Sequence, residues 1–151
     1  MNYSFTTTWH IEKGKKAVWN VLYDFKKWPT WWKGVTLAKP LRYEHEGRGS
    51  IIHLAWSTGW YSLSFNLEVT QIIPFEYIEA QATGDLVGTG RISLTDDNKN
   101  STVQFRWDVQ TQKIWMKLLG PIASSIFSYE HHKIMRQGEQ GIKKLLDISL
   151  T

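Results

Sequence analysis

The chain has 151 residues, of which 42% are hydrophobic, and carries a formal net charge of +4 at pH 7. This length and composition predict one globular domain over residues 1–151, large enough to bury a core without covalent cross-links. The sequence contains no cysteine, which excludes disulfides, thiolate nucleophiles and cysteine-ligated metal centres.

The N-terminus and the charge distribution bear on location and partners. Residues 1–8 alternate polar and aromatic side chains and lack the cationic start and apolar block of a secretion signal. No apolar run approaches membrane-spanning length, so a cytoplasmic location is expected. The positive charge is local, because residues 13–48 contain nine lysines and arginines against three acidic residues.

The chain opens on a predicted strand followed by a helical insert. Apolar residues of one parity, from Tyr3 to Ile11, indicate a half-buried strand. Residues 15–25 then place apolar side chains at helical spacing, which predicts a short helix. Pro29 suits the first turn of a second short helix that carries Trp31 and Trp32.

Six further strands are predicted between the insert and residue 111. Their connections are short and carry turn residues such as Gly59, Pro74 and Gly84, so the strands form an antiparallel meander. The predicted strands cover residues 35–42, 50–57, 60–73, 75–83, 85–95 and 101–111.

One long helix, from about Pro121 to Leu150, ends the chain. An antiparallel sheet with one apolar face must cover that face, and this helix is the only element long enough to do so. The fold class is therefore α+β, with a seven-stranded antiparallel sheet wrapped around the C-terminal helix and two short helices between strands 1 and 2. A helical wheel places one set of residues toward the sheet: Phe127, Glu130, His131, Ile134, Gly138, Gly141 and Leu145.

Glycines occur on both of the surfaces that should face each other. Gly138 and Gly141 lie on the inward face of the helix, although each lowers helix stability by roughly 1 kcal/mol relative to alanine. Gly88 and Gly90 share the inward parity of their strand. Small residues on opposing surfaces indicate either close packing with strand bending or an empty volume, and both readings remain open at this point.

Several stretches in this order are typical of one known family: Val18-Trp19, residues 28–31 with Val35, residues 84–91, Trp107, residues 115–119, and His131 with Met135, Gly138 and Gly141. On these residues the chain resembles the START-like, helix-grip (SRPBCC) superfamily and, within it, the polyketide cyclase/dehydrase group. The resemblance implies a curved seven-stranded sheet, two short helices closing one end, and a long helix over a cavity for a hydrophobic ligand.

The expected function is binding of a hydrophobic small molecule, aromatic, polyketide-like or lipid-like, between the sheet and the C-terminal helix. Apolar burial would supply the affinity and a few polar groups the orientation. The expected ligand-binding residues are Trp56, Tyr61, Phe65, Gly88, Gly90, Trp107, Ile134, Gly138 and Gly141.

An enzyme is the first alternative. Glu130 and His131 are an adjacent acid and base on the inward helix face, and with Tyr61 as a donor they could serve a polyketide cyclase or dehydratase. A half-buried structural histidine is the competing reading. A metal site is not expected, because His131 and His132 point about 100° apart on a helix and no further ligand stands at i+3 or i+4. No cofactor is expected.

The second alternative concerns residues 26–33, the basic Trp segment, in which lysines alternate with indoles. This pattern suits an anionic membrane surface or single-stranded nucleic acid, although nucleic acid is disfavoured as a partner. The same segment suits a pocket entrance formed by Trp28, Trp31 and Trp32. A simpler reading is that the indoles cap the end of the sheet while the lysines face water. The sequence carries no signal for or against an oligomer.

Overall fold

The computed structural model describes residues 2–59, 61–111, 118 and 121–148. The N-terminal part contains β1 (Asn2–Ile11), α1 (Lys15–Tyr23), a 3₁₀ turn (Phe25–Lys27) and α2 (Trp28–Trp31). The remaining elements are β2 (Val35–Arg42), β3 (Ile51–Ser57), β4 (Ser62–Ile73), β5 (Tyr77–Gly84), β6 (Leu86–Asp96), β7 (Ser101–Thr111) and α3 (Pro121–Ile148).

The predicted fold class is confirmed. The seven strands form one curved antiparallel sheet in the order β1-β7-β6-β5-β4-β3-β2, so β1 and β2 are its edges. Predicted strand limits agree to within two residues with those observed. Some predicted features lie outside the described residues. They are Trp60 at the start of a predicted strand, residues 115–117 and 119 of the family resemblance, and the predicted end of the last helix at Leu150.

Alternation along each strand places the core between the sheet and α3. In β4 the residues Leu63, Phe65, Leu67 and Val69 are buried, while Ser62, Ser64 and Glu68 on the other face are exposed. β1 lies beside β7 with Phe5 opposite Trp107, so the first strand extends the same inner face. This alternation is the consequence of a sheet with one covered and one solvated face.

The helical insert closes one end of this core. α1 buries Val18, Trp19 and Leu22. The residue after α2, Trp32, donates an indole hydrogen bond to the Ile134 carbonyl of α3 over 2.9 Å, which ties the insert to the long helix. None of the described helices combines the length and hydropathy needed to cross a membrane.

Candidate functional site

A cavity lies between the inner face of the sheet and α3, and it is called the inner cavity below. Strand parity turns most of its wall inward, and α3 and the insert close it. Its volume is about 60 Å³. It is lined by Phe5, Phe25, Trp28, Trp32, Trp56, Leu67, Ile78, Ala80, Gly90, Arg91, Ile92, Phe105, Arg106, Trp107, His131 and Met135.

Eight of the sixteen lining residues carry aromatic rings, His131 included. Trp56 and Trp107 stack with ring centroids 6.0 Å apart and an interplanar angle of 28°. Both indole Nε1 atoms are buried and have no hydrogen-bond partner among the described residues. A buried donor without a partner costs free energy, so each of these N–H groups would gain from an acceptor brought within reach.

Gly90 makes room for the Trp107 ring. A Cβ atom at this position would overlap the six-membered ring of Trp107, directly opposite on β7. Gly88, two residues earlier, lies against the backbone of Asp108 and does not line the cavity. The two inward strand glycines therefore have different neighbours, one a ring and the other a backbone.

The helix glycines of α3 are also in close contact. A Cβ atom at Gly138 would lie 2.5 Å from Trp32 Cε2 and 2.7 Å from Trp9 Cη2. One at Gly141 would overlap the carbonyl oxygen of Trp31. Neither glycine lines the inner cavity. At these two positions the structure shows close packing against the tryptophans of the insert and β1.

His131 lies on the cavity wall. Its ring stacks on Phe5 with centroids 4.0 Å apart and an interplanar angle of 15°, and 4% of the residue is exposed. Burial, and secondarily the neighbouring His132, lowers the pKa of His131 to about 3. The imidazole is therefore neutral at neutral pH and can donate or accept one hydrogen bond.

Glu130 is buried but does not line the cavity. Its Oε2 atom has no hydrogen-bond partner among the described residues. The pKa of Tyr61 is raised mainly by burial and secondly by the charge of Glu130. The Tyr61 hydroxyl and the Glu130 carboxyl therefore interact electrostatically. The predicted acid and base thus lie in different surroundings, His131 at the cavity and Glu130 toward Tyr61.

The three tryptophans of the predicted entrance are all buried, with exposed fractions of 3% for Trp28, 9% for Trp31 and 1% for Trp32. Trp28 donates to the Leu22 carbonyl over 3.1 Å, and its ring centroid is 4.9 Å from that of Trp32. Trp28 and Trp32 line the cavity, whereas Trp31 does not. In this conformation the rings close the end of the core.

Other predicted ligand-binding residues lie next to the cavity. Phe65 packs edge-on to both Trp56 and Trp107 at centroid distances of 5.6 and 5.9 Å. Ile134 is buried and its carbonyl accepts the Trp32 hydrogen bond. Tyr61 stacks on Phe127 at 6.0 Å. These residues support the wall from behind and are absent from the lining itself.

Sequence reasoning missed several lining residues. Strand parity could have identified Phe5, Ile78 and Ala80, because each lies on the inward side of its strand. Met135 follows His131 by four residues, so the helical period places the two on one face. Phe25 has the apolar spacing of the helix predicted over residues 15–25, but α1 ends at Tyr23 and Phe25 lies in the 3₁₀ turn that follows, so the helix prediction was wrong at this end.

Comparison with known proteins places the chain in a family. Residues 11–129 match the family model described as polyketide cyclase / dehydrase and lipid transport. A search among curated proteins finds no significant match.

Solved structures share the fold at low sequence identity. The Zhui aromatase/cyclase of Streptomyces sp. R1128 superposes with a TM-score of 0.80 at 12% identity, covering 100% of this chain and 97% of that one. A START superfamily protein from Mycobacterium smegmatis gives 0.76 at 17% identity, covering 94% and 98%. The protein TTHA0849 from Thermus thermophilus gives 0.75 at 11% identity, covering 93% and 97%. With a family match over most of its length, the chain belongs to the family described as polyketide cyclase / dehydrase and lipid transport.

Proposed function

We propose that the protein binds a hydrophobic small molecule, aromatic or lipid-like, in the inner cavity. The observation that carries the proposal is a largely apolar cavity whose lining includes a neutral histidine and two tryptophans, Trp56 and Trp107, with indole N–H groups that have no partner among the described residues. Pockets for small molecules combine an apolar wall with a few polar groups in this way. The N–H groups of Trp56 and Trp107 would orient a carbonyl or hydroxyl oxygen of the ligand.

The cavity must expand to accept such a ligand. Its volume is about 60 Å³, whereas a cavity of about 150 Å³ accepts benzene. Met135 has a flexible side chain, and Phe25 is only half-buried. Both side chains lie outside the strands and can move without disrupting the sheet. We therefore assign the expansion of the cavity to Met135 and Phe25.

Two alanines of β5 provide a matched test. Ala80 lines the cavity, whereas Ala82 is equally inward and fully buried but does not line it. Ala80→Leu should fill the void, keep the melting temperature equal or higher, and weaken binding of the neutral probe N-phenyl-1-naphthylamine by about tenfold or more. Ala82→Leu should lower stability by about 1–3 kcal/mol through overpacking.

Fluorescence titration and thermal melts of the two variants measure both effects. Absence of probe binding by the wild type, or unchanged probe affinity in a folded Ala80→Leu variant, would contradict a ligand site in this cavity.

A cyclase or dehydratase is the second candidate, supported by the buried carboxylate of Glu130 with its unpartnered oxygen beside Tyr61. In this role Glu130 would hold or accept a proton, and His131, neutral at neutral pH, would act as an acceptor. Glu130→Gln should then lower turnover of a polyketide-like substrate by about 10²-fold while binding stays within about twofold. Mass spectrometry that recovers the substrate unchanged from the wild type would exclude this role.

A further inference from the structure

A second, larger cavity opens beside the insert, and it is called the outer groove below. It lies between the end of α1, the 3₁₀ turn, and the β2–β3 hairpin, and its volume is about 390 Å³. This volume alone is within the range of about 300–1,000 Å³ typical of small-molecule sites. Its lining consists of Asn20, Tyr23, Asp24, Phe25, Lys26, Pro40, Arg42, Tyr43, Gly47, Ser50, Ile51, Ile52 and Val69.

Strand register shows that the groove and the inner cavity adjoin. Ile52 lines the groove and is paired with Leu67, which lines the inner cavity. Val69 of the groove is likewise paired with Ala80 of the cavity. Side chains paired across antiparallel strands are about 5 Å apart, so the two volumes share one continuous stretch of the inner sheet face.

Phe25 separates the two volumes, and among the described residues it alone lines both. It belongs to a single 3₁₀ turn in which no residue is fully buried, and its ring packs on Trp28 at a centroid distance of 4.9 Å. A short turn with few buried contacts opens at low free-energy cost. Rotation of the Phe25 side chain would join the groove to the cavity.

The charges of the groove leave one cation unmatched. Arg42 pairs with Glu68 at 3.2 Å and with Glu44 at 3.7 Å, and Asp24 pairs with Lys27 at 3.6 Å. Lys26 has no salt-bridge partner within the part of the chain that the structure describes. An anionic group in the groove would find this ammonium without displacing an existing pair.

Two phenols add hydrogen-bond donors to the same wall. Burial, and then the nearby Tyr43, raises the pKa of Tyr23, so this phenol stays protonated at neutral pH. Tyr43 is 74% exposed on the opposite hairpin. Neutral phenol hydroxyls donate well to a carboxylate, and they suit an anionic head group better than a cationic one.

We propose that the two volumes are the halves of one binding site for a carboxylate-bearing amphiphile. Its apolar end passes Phe25 into the inner cavity, while its carboxylate stays in the outer groove against Lys26 and the phenol donors. The inference rests on the proposed function, because it takes the inner cavity as the apolar half of the site. It adds the ligand class, the route of entry and the residue that selects the head group.

Three probes of equal chain length test the head-group preference: decanoate, decan-1-ol and decylammonium. Each competes with N-phenyl-1-naphthylamine in a fluorescence displacement titration of the full chain. Decanoate should bind tighter than decan-1-ol by about threefold to tenfold, the range expected for a partly exposed ion pair, and decylammonium should bind weakest. Lys26→Gln should remove the difference between decanoate and decan-1-ol.

Lys16→Gln is the matched control, since it removes one exposed positive charge from α1 without changing the groove lining. It should leave the preference for decanoate intact. For the gate, Phe25→Ala should speed decanoate association severalfold in stopped-flow fluorescence, and Phe25→Trp should slow it.

The outcomes separate the two proposals. If the neutral naphthylamine probe fails to bind, the inner cavity is not a ligand site and both proposals fall. If the naphthylamine binds but decanoate and decan-1-ol have equal affinity, or Lys26→Gln behaves like Lys16→Gln, the two-part site is overturned and the hydrophobic site remains. Equal association rates in Phe25→Ala and Phe25→Trp would remove Phe25 as the gate.

Discussion

Gly138 lies where two tryptophan rings reach the long helix. Its missing Cβ atom leaves the space that Trp32 and Trp9 occupy, and these two rings pack edge-to-face with centroids 5.2 Å apart. The free-energy cost of a glycine inside a helix is offset by the burial of two large aromatic side chains. The same arrangement recurs at Gly90, where the Trp107 ring covers the backbone.

Gly138→Ala should therefore destabilise the protein by about 1–3 kcal/mol, even though alanine favours the helix by roughly 1 kcal/mol. The reason is that neither ring can retreat from a new methyl group without disturbing the other. Urea denaturation measures the change. Gly59→Ala is a suitable control because a Cβ atom there meets no heavy atom within 4 Å. A Gly138→Ala variant as stable as wild type would mean that free volume exists at this point of the helix.

Helical period alone could place Gly138 on the inward face, together with buried Ile134 and His131. It could not show what lies opposite. The contact comes from Trp32, which is 102 residues away from its hydrogen-bond acceptor Ile134. Whether an inward glycine contacts a ring or an empty volume depends on such tertiary neighbours, and no local pattern contains that information.

At the scale of elements, strand parity was the most informative signal. Each inner strand alternates with a period of two, and one covered face turns that alternation into burial. The short insert was harder to interpret. Its indoles and lysines alternate in sequence, yet the structure buries Trp28, Trp31 and Trp32 and leaves Lys26 and Lys33 exposed.

This separation bears on what the basic Trp segment can do. Stacking on nucleic acid bases or insertion at lipid head groups needs exposed rings. Here the ring of Trp32 packs against Trp31 at 5.3 Å and against Trp56 at 6.1 Å, inside the core. In this conformation the insert therefore forms a closing wall of the inner cavity, while Lys33 is exposed and Lys26 lines the outer groove.

At the scale of the whole molecule, the volume of the inner cavity is the property that the sequence could not predict. The sheet and α3 could be predicted from the sequence. The free volume between them could not, because it is a small difference between two large volumes, that of the enclosed space and that of the side chains inside it. Seven tryptophans among the described residues are buried in that core. The outer groove depends in turn on how the β2–β3 hairpin and α1 approach each other, which no local pattern records.

A single buried histidine should also affect the stability of the whole molecule. The pKa of His131 is about 3 in the folded state, and that of an unfolded histidine is about 6.5. Between these values the unfolded chain binds a proton at this residue and the folded protein does not. Its contribution to stability is thus complete above pH 6.5 and is lost as the pH falls toward 3.

Urea denaturation at pH 7 and pH 4.5 tests this effect in the wild type and in His131→Phe, which keeps a ring against Phe5 but cannot titrate. The stability advantage of wild type over the variant should shrink by about 2–3 kcal/mol on going to pH 4.5, at about 1.4 kcal/mol per pH unit. His132→Gln removes only the smaller of the two causes of the lowered His131 pKa, so its profile should lie close to that of the wild type and far from that of His131→Phe. Parallel profiles for wild type and His131→Phe would show that His131 has the same pKa in the folded and unfolded states, which would contradict a pKa lowered by burial in the cavity wall.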